Sequence, residues 1–544
     1  MNFQNKIGGI FTGIKNLAGR AYKHFTAAMK EKIYSLLLLF VLFYAADFYI
    51  LDIVSSADLF LQSFLLATLF SYISYIIRNR FLRGLYNTFL FASAVLMFVV
   101  EMFCVIVYGV RINVEFAGII MGTNLYESYE FLTFYFSDSM LIGGVVLIVL
   151  AIALAVKYFN RIPKINNRHI YRCMALLFAA GCVSSVINSD VWKEVYLGKI
   201  NLFAQVEDIP DLRNYLSNPN LNIEDNKQPQ NVVVIIGESF TRRNSSLYGY
   251  EKQTNPRIGE HLGTPNLAVY NNVSSVAIST VATFSCLLSQ YKSNSYYGKE
   301  WHLCPTLIEV VSMAGYNTYW VSNQSKSGVA DNLVTRYAEL CDVMEYTNPK
   351  NVGMHHLSYD EEVLPLLRNV KSSASGDKNF YFVHLMGSHY RFDLRYPDSY
   401  RVFKESDYKQ FIESQRENRA HYDNSILYND YVVSEIIKEF VDKESLVFYF
   451  SDHAIDLYCS SDDYAGHSKP SDQVSFECGK EIPFIIYMSD KYIEKYPEEA
   501  ERIRAYVDRE FSTNEFMISL MDIIGIKFAD TYDAYFYSLF RKNE

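Results

Sequence analysis

A bundle of membrane-spanning helices followed by an α/β domain built on a mostly parallel sheet is the fold class this sequence predicts. Three observations carry that prediction. Five long apolar runs crowd the first 188 residues. From residue 231 onward, short apolar strands alternate with amphipathic helical stretches. The mean hydropathy of +0.00 is high for a soluble protein and low for one wholly in a membrane, as averaging two unlike parts requires.

The apolar runs occupy residues 33–53, 57–77, 84–110, 139–159 and 169–188. Each is close to the ~20 residues a helix needs to cross a bilayer. The first starts too late, and has too many followers, for a cleaved signal peptide. Lys6, Lys15, Arg20, Lys23, Lys30 and Lys32 crowd the N-terminal tail. Arg78, Arg80 and Arg83 follow the second run, and Lys157, Arg161, Lys164 and Arg168 follow the fourth. The intervening connections are acidic, with Asp52 and Asp58 in one and Glu115, Glu127, Glu130 and Asp138 in the other. Basic loops stay in the cytoplasm. The expected topology therefore has a cytoplasmic N-terminus and everything beyond the fifth run outside. Asp47 and Glu101 fall inside the runs, where a carboxylate is costly. Pairing with tyrosine or backbone near an interface is the expected solution. Phe131, Phe134, Tyr135 and Phe136 fit an interfacial surface helix.

Residues 1–188 thus form the expected membrane domain, and the polar stretch 189–230 a linker with a short bridging helix near 191–206. Residues 231–544 form the globular domain. Its expected strands include 232–236, 318–321, 380–384, 446–450 and 484–487, with helices at 306–314 and 424–438. Such alternation argues for a parallel sheet covered on both faces. With 50 Lys+Arg against 60 Asp+Glu, no basic excess exists to neutralise nucleic-acid phosphates. Disorder is excluded by a composition half of which is hydrophobic.

Polar residues gather just after the strands, where open α/β sheets bind ligands. The first strand runs into Gly237-Glu238-Ser239, and the strand 446–450 runs into Ser451-Asp452-His453. Between them lies the hydroxyl-rich Ser279-Thr280-Val281-Ala282-Thr283. His389 and His467 each follow turn-like sequence. Carboxylate and imidazole are donors that Zn²⁺ or Mn²⁺ accepts. A hydroxyl beside such a cation becomes a nucleophile. Singly these motifs are weak, since a strand ending in Asp-His is common and a Glu after Gly often caps a helix. On chemistry alone Ser279, Thr280 and Thr283 all compete for the nucleophile's role.

The joint order of the motifs resembles the phosphoethanolamine transferases of the alkaline-phosphatase/sulfatase-like superfamily. Their lipid A and colistin-resistance branches share the plan of about five spans, a linker and an extracytoplasmic domain. The resemblance rests on Gly237-Glu238-Ser239, Tyr248-Gly249-Tyr250 and Thr254-Asn255-Pro256, and on Thr280 six positions before Cys286. It continues through His389, Tyr422-Asp423-Asn424-Ser425-Ile426, Ser451-Asp452-His453 and His467. The resemblance implies an alkaline-phosphatase-like fold. It implies Glu238, Thr280, Asp452 and His453 as ligands of zinc (manganese the alternative), with Thr280 also the nucleophile. His389 and His467 would hold the transferred phosphate or a second zinc. Thr123, Asn124 and Glu127 match a segment near the lipid donor's headgroup, although a solvated loop carboxylate explains Glu127 equally well. Asn323 and Lys326 are the further substrate-binding candidates. The implied reaction moves phosphoethanolamine from a phospholipid to lipid A, core oligosaccharide or another glycan. The implied site is a bacterial inner membrane, multi-pass, with the catalytic domain in the periplasm. A phosphoglycerol transferase, or a sulfatase or phosphatase, is the alternative within the superfamily. A sulfatase, however, would want cysteine or serine in a "CxPxR" setting, which Val281-Ala282-Thr283 does not supply.

Three departures stand out. Val276 occupies the position where the lipid A branch often pairs a cysteine with the equivalent of Cys286. Ala454-Ile455-Asp456 replaces the usual Gly-Glu-containing run after Asp-His, and Lys326 follows Asn323-Gln324 at shortened spacing. These changes bear on the acceptor more than on the chemistry. Cys459 and Cys478 flank the His467 loop, and a bridge between them, which would restrain it, is the expected pairing.

Overall fold

The computed structural model describes residues 16, 19–33, 36–41, 53–108, 144–145, 149, 168–187, 221–289, 305–324, 326, 333–347, 358–374, 376–469, 472–528 and 538–541. These fall into two compact units, one built from residues up to 187 and the other from residues 221 onward.

The first unit is helical. Helices α1 (Ile53–Ile76), α2 (Arg80–Tyr108) and α3 (Arg168–Ile187) cover three of the five apolar runs. Close approach of α1 and α3 is made by Gly181, where an added Cβ would stand 2.5 Å from the Leu61 carbonyl oxygen. A small residue at a helix contact lets dispersion act where no hydrophobic drive exists. Ser74 on α1 donates to Asn87 on α2 at 2.8 Å, a buried polar tie of the kind that holds helices in lipid. Among the described residues, one helix segment, Arg80–Val100, is long and apolar enough to cross a membrane. Most of the run 139–159, the segments 109–143 and 189–220, and Asp47 lie outside the described residues.

The second unit is organised by a seven-stranded sheet. Its strands are β1 (Asn231–Gly237), β2 (Leu267–Val269), β3 (Asn317–Ser322), β4 (Val343–Tyr346), β5 (Asn379–His384), β6 (Ser445–Ser451) and β7 (Phe484–Met488). Their order across the sheet is β2-β7-β6-β1-β5-β3-β4. The five strands from β6 to β4 are parallel; β7 and β2 join antiparallel at one edge. The sheet is therefore mixed, its parallel majority as expected.

Every residue of β1 is buried, and its run of valines and isoleucines fits a central strand covered on both faces. Val232, Val234 and Ile236 enter one apolar layer, with Phe284, Leu307 and Phe516 from helices on that side. Val233 and Ile235 enter the other, with Leu367 and Ile426. Each such side chain removed from water contributes about 1.5–3 kcal/mol, which anchors the strand ends that carry the chemistry. Thr280–Leu287 (α4) lies on the first face and the long helix Glu413–Lys438 (α5) on the second.

Candidate active site

Glu238 and the pair Asp452-His453 meet because β1 and β6 are parallel and in register. Gly237 pairs with Ser451, and the Asp452 N–H donates to the Gly237 carbonyl at 3.0 Å. Both strands therefore end at one level, and their next side chains share one place beyond the sheet. Glu238, Asp452 and His453 are fully or almost fully buried. Each can offer one ligand atom within 4.8 Å of the others.

The donor set fits a divalent cation. The His453 ring is placed with Nδ1 against the Ala454 carbonyl at 2.8 Å, which assigns a proton to Nδ1 and directs Nε2 inward, where a dication would displace its proton. Nε2 lies 3.3 Å from Glu238 Oε1 and 3.5 Å from Asp452 Oδ2. Neither Nε2 nor Oδ2 has a hydrogen-bond partner. Two buried, inward-facing ligand atoms with no hydrogen-bond partner suit a metal centre. The electrostatics of the cluster point the same way. Burial disfavours the His453 imidazolium, yet the Asp452 and Glu238 carboxylates outweigh it and lift the group to about 9. Burial and the neighbouring Glu238 push Asp452 up, while His453 overcomes burial and draws Glu238 down. The three groups retain a positive charge in their midst, a place a dication can take.

Thr280 opens α4, and its hydroxyl donates to Glu238 Oε2 at 3.1 Å. The competing Thr283 is buried, its hydroxyl 3.3 Å from Ser275, which in turn donates to the Asp452 carbonyl. Ser279 is the N-cap of α4, and its side chain makes no cap hydrogen bond. The first turn of α4 thus presents peptide N–H groups and the positive helix end beside Thr280.

His467 and His389 extend outward from the triad. The ring of His467 lies 5.2 Å from that of His453 and 6.2 Å from that of His389, centroid to centroid. Burial pushes His389 down to about 3 and His467 down to about 4, so both imidazoles are neutral at pH 7. Tyr390 packs beside them, its ring centroid 4.2 Å from that of His389 and 5.9 Å from that of His467. The His467 loop is closed by a disulfide between Cys459 and Cys478, the expected pairing. Asp456 organises the same loop, accepting from the Cys459 N–H at 2.8 Å and from the Ser460 and Ser475 hydroxyls. The sequence departure after Asp-His is thus a loop brace.

Asn323 is tied into the fold. Its amide donates to the Ser358 carbonyl at 3.1 Å and to Asp360 at 2.8 Å, and its oxygen accepts from Thr347 at 2.6 Å. The sequence reasoning missed Asp360. This buried carboxylate also accepts from the Met386 and Gly387 N–H groups, each at 2.8 Å, and so clamps the turn before His389. Gly387, at φ +54°, sits against Glu238, where an added Cβ would lie 2.7 Å from its backbone N and O. The only sequence signal for Asp360 was an acidic run, Asp360-Glu361-Glu362, with no catalytic spacing. Lys326 is fixed through its carbonyl, which accepts from Thr335 at 2.7 Å. Thr123, Asn124 and Glu127 lie outside the described residues.

The same architecture occurs in known proteins. The sulfatase family profile matches residues 230–526, more than half of the chain. Phosphoethanolamine transferase EptC of Escherichia coli is 26% identical over 79% of this chain and 78% of its own length. A crystal structure of the C-terminal periplasmic domain of the E. coli EptC, in complex with Zn, is 27% identical and covers 60% of this chain and 90% of that one, with TM-score 0.53. The integral membrane lipooligosaccharide phosphoethanolamine transferase A of Neisseria meningitidis, 17% identical, shares the fold over 94% of this chain and 96% of its own, with TM-score 0.59. The chain belongs to the sulfatase family, and phosphoethanolamine transferases are among its relatives.

Proposed function

We propose that this protein is a membrane-bound phosphoethanolamine transferase that takes its headgroup from phosphatidylethanolamine and delivers it to an envelope glycolipid or glycan. The observation that carries the reading is the Thr280 hydroxyl aimed at Glu238 inside the Glu238–Asp452–His453 triad. The transferase names of the relatives support phosphoethanolamine as the transferred group. Glu238, Asp452, His453 and Thr280 would hold zinc. A bound dication there would lower the pKa of the Thr280 hydroxyl and neutralise charge on the phosphoryl group.

The chain's own residues then divide the work. Thr280 Oγ1 attacks phosphorus; the bond from phosphorus to the glycerol oxygen breaks, and diacylglycerol leaves with a proton on that oxygen. The N-terminal peptide groups of α4 receive the phosphoryl oxygens. His389 and His467, neutral near pH 7, can hydrogen-bond the phosphoryl oxygens and relay the proton released by Thr280 to the departing oxygen without retaining it. An acceptor hydroxyl or phosphate oxygen then attacks, the bond to Thr280 breaks, and the threonine regains its proton. The mechanism is ping-pong.

In the proposed organisation residues 1–188 embed the protein in the inner membrane, 189–230 bridge, and 231–544 act in the periplasm. Incubation with headgroup-labelled phosphatidylethanolamine and phosphatidylglycerol tests the donor. Release of diacylglycerol from the first alone is expected. Turnover of phosphatidylglycerol alone would replace this reading by a phosphoglycerol transferase.

A further inference from the structure

Ser239 follows Glu238 with φ +57°, a left-handed backbone that residues other than glycine enter at a cost and that clusters at functional sites. In that conformation its three polar groups reach three partners. Its Oγ donates to Glu238 Oε1 at 2.7 Å, and its N–H donates to Asp452 Oδ1 at 3.3 Å. Its carbonyl accepts from the Tyr422 hydroxyl at 2.8 Å. The same hydroxyl accepts from the Thr241 N–H, also at 2.8 Å, so Tyr422 spans the turn from α5. Ser239 and Tyr422 are both buried.

The two carboxylates that Ser239 engages arrive on different strands, Glu238 after β1 and Asp452 after β6. Asp452 Oδ1 is occupied by Ser239 and by the His453 N–H at 2.6 Å, which turns Oδ2 toward Nε2 of His453. Glu238 Oε1 is oriented by the serine hydroxyl while Oε2 takes Thr280. One strained residue thus sets the rotation of both carboxylates.

We infer that Ser239, held left-handed by Tyr422, is the positioning residue that presents Glu238 and Asp452 together to a divalent cation. The inference rests on the proposed metal triad and names what preorganises it. A group hydrogen-bonded to a metal-binding carboxylate typically changes metal affinity 10- to 100-fold when removed.

The test is zinc affinity, measured by chelator competition on the full-length protein in detergent, alongside the thermal transition of the metal-free form. Ser239→Ala loses the hydroxyl and keeps the backbone strain; Tyr422→Phe loses the hydroxyl that holds the turn. Both should weaken zinc binding about 10- to 100-fold. Ser239→Gly, which removes the same hydroxyl but adopts φ +57° without strain, should weaken zinc binding at least as much as Ser239→Ala while preserving the metal-free transition, separating positioning from folding. Wild-type zinc affinity in both Ser239→Ala and Tyr422→Phe, with Asp452→Ala losing zinc, would overturn the assignment while leaving the metal triad standing. Zinc affinity unchanged in Asp452→Ala would overturn the triad, and the inference with it.

Discussion

At the scale of single residues, the proposed mechanism divides the site into groups that touch the reacting atoms and groups that aim them. His389 and His467 stand beyond the triad, with rings 6.2 Å apart and both kept neutral by burial. Replacing either by alanine should lower kcat by about 10²–10⁴-fold, the range for losing a general acid or base. Zinc content by elemental analysis should be unchanged, because neither ring is needed for the first cation. Unchanged kinetics in both variants would return them to a packing role. The joint order of the motifs, through the family resemblance, singled out these two histidines together with Glu238, Asp452 and His453, and the structure gathers all five in one place. Asp360 was not legible. Its work is done through backbone N–H groups of Met386 and Gly387, and a bond to backbone leaves no side-chain pattern at the other end. The three partners inside the fold that engage the Asn323 amide were likewise not legible, since two of them are reached only through the fold of distant segments.

At the scale of elements, α5 explains why the motif Tyr422-Asp423-Asn424-Ser425-Ile426, distant from the triad in sequence, matters. Tyr422 holds the turn after Glu238, and Ser425 donates to Ser388 at 2.9 Å beside His389. Asn424 accepts from the Val402 and Phe403 N–H groups. Asp423 accepts from Asn244 and Tyr250, each at 2.7 Å, and from Tyr408. Burial raises Asp423 to about 6, against the pull of those three donors. A carboxyl whose pKa is higher in the folded than in the unfolded state binds its proton more tightly when folded. Its stabilisation is therefore full below the unfolded value of 3.8 and is lost as pH rises through about 6. Wild type should accordingly lose stability relative to Asp423→Asn between about pH 4 and pH 6, with a constant difference above about pH 7. Chemical denaturation across that range measures it, and a difference that does not change with pH would contradict the assignment. The sequence predicted this helix only from residue 424, whereas it begins at Glu413. Its first turns, Glu413 to Arg419, are almost wholly polar, so no apolar stripe announces them. The strands β2 and β4 escaped for a related reason. At three and four residues on the two edges of the sheet they are too short to show a period.

At the scale of the whole molecule, the two-part plan was the most legible feature, because it depends on long averages rather than on single positions. The central strands were found within a residue or two. Their valine and isoleucine runs are what a sheet buried on both faces demands. The antiparallel edge formed by β7 and β2 was not, since strand direction depends on connections that composition does not record. The proposed orientation places Arg78, Arg80 and Arg83 in the cytoplasm. A periplasm-dependent reporter fused after Asn188 should be active, and one fused at Arg80 inactive. The reverse pattern would separate the catalytic unit from the outer-leaflet donor and defeat the proposed reaction.

The central claim is that Thr280 carries the headgroup between donor and acceptor, and peptide mass spectrometry of protein treated with phosphatidylethanolamine in the absence of acceptor tests it directly. The account predicts a phosphoethanolamine adduct on the peptide containing Thr280, localised to that residue. Thr280→Ala should carry no adduct and release no diacylglycerol, while Thr280→Ser retains part of both. An adduct on Ser279 or Thr283, or normal turnover in Thr280→Ala, would contradict it.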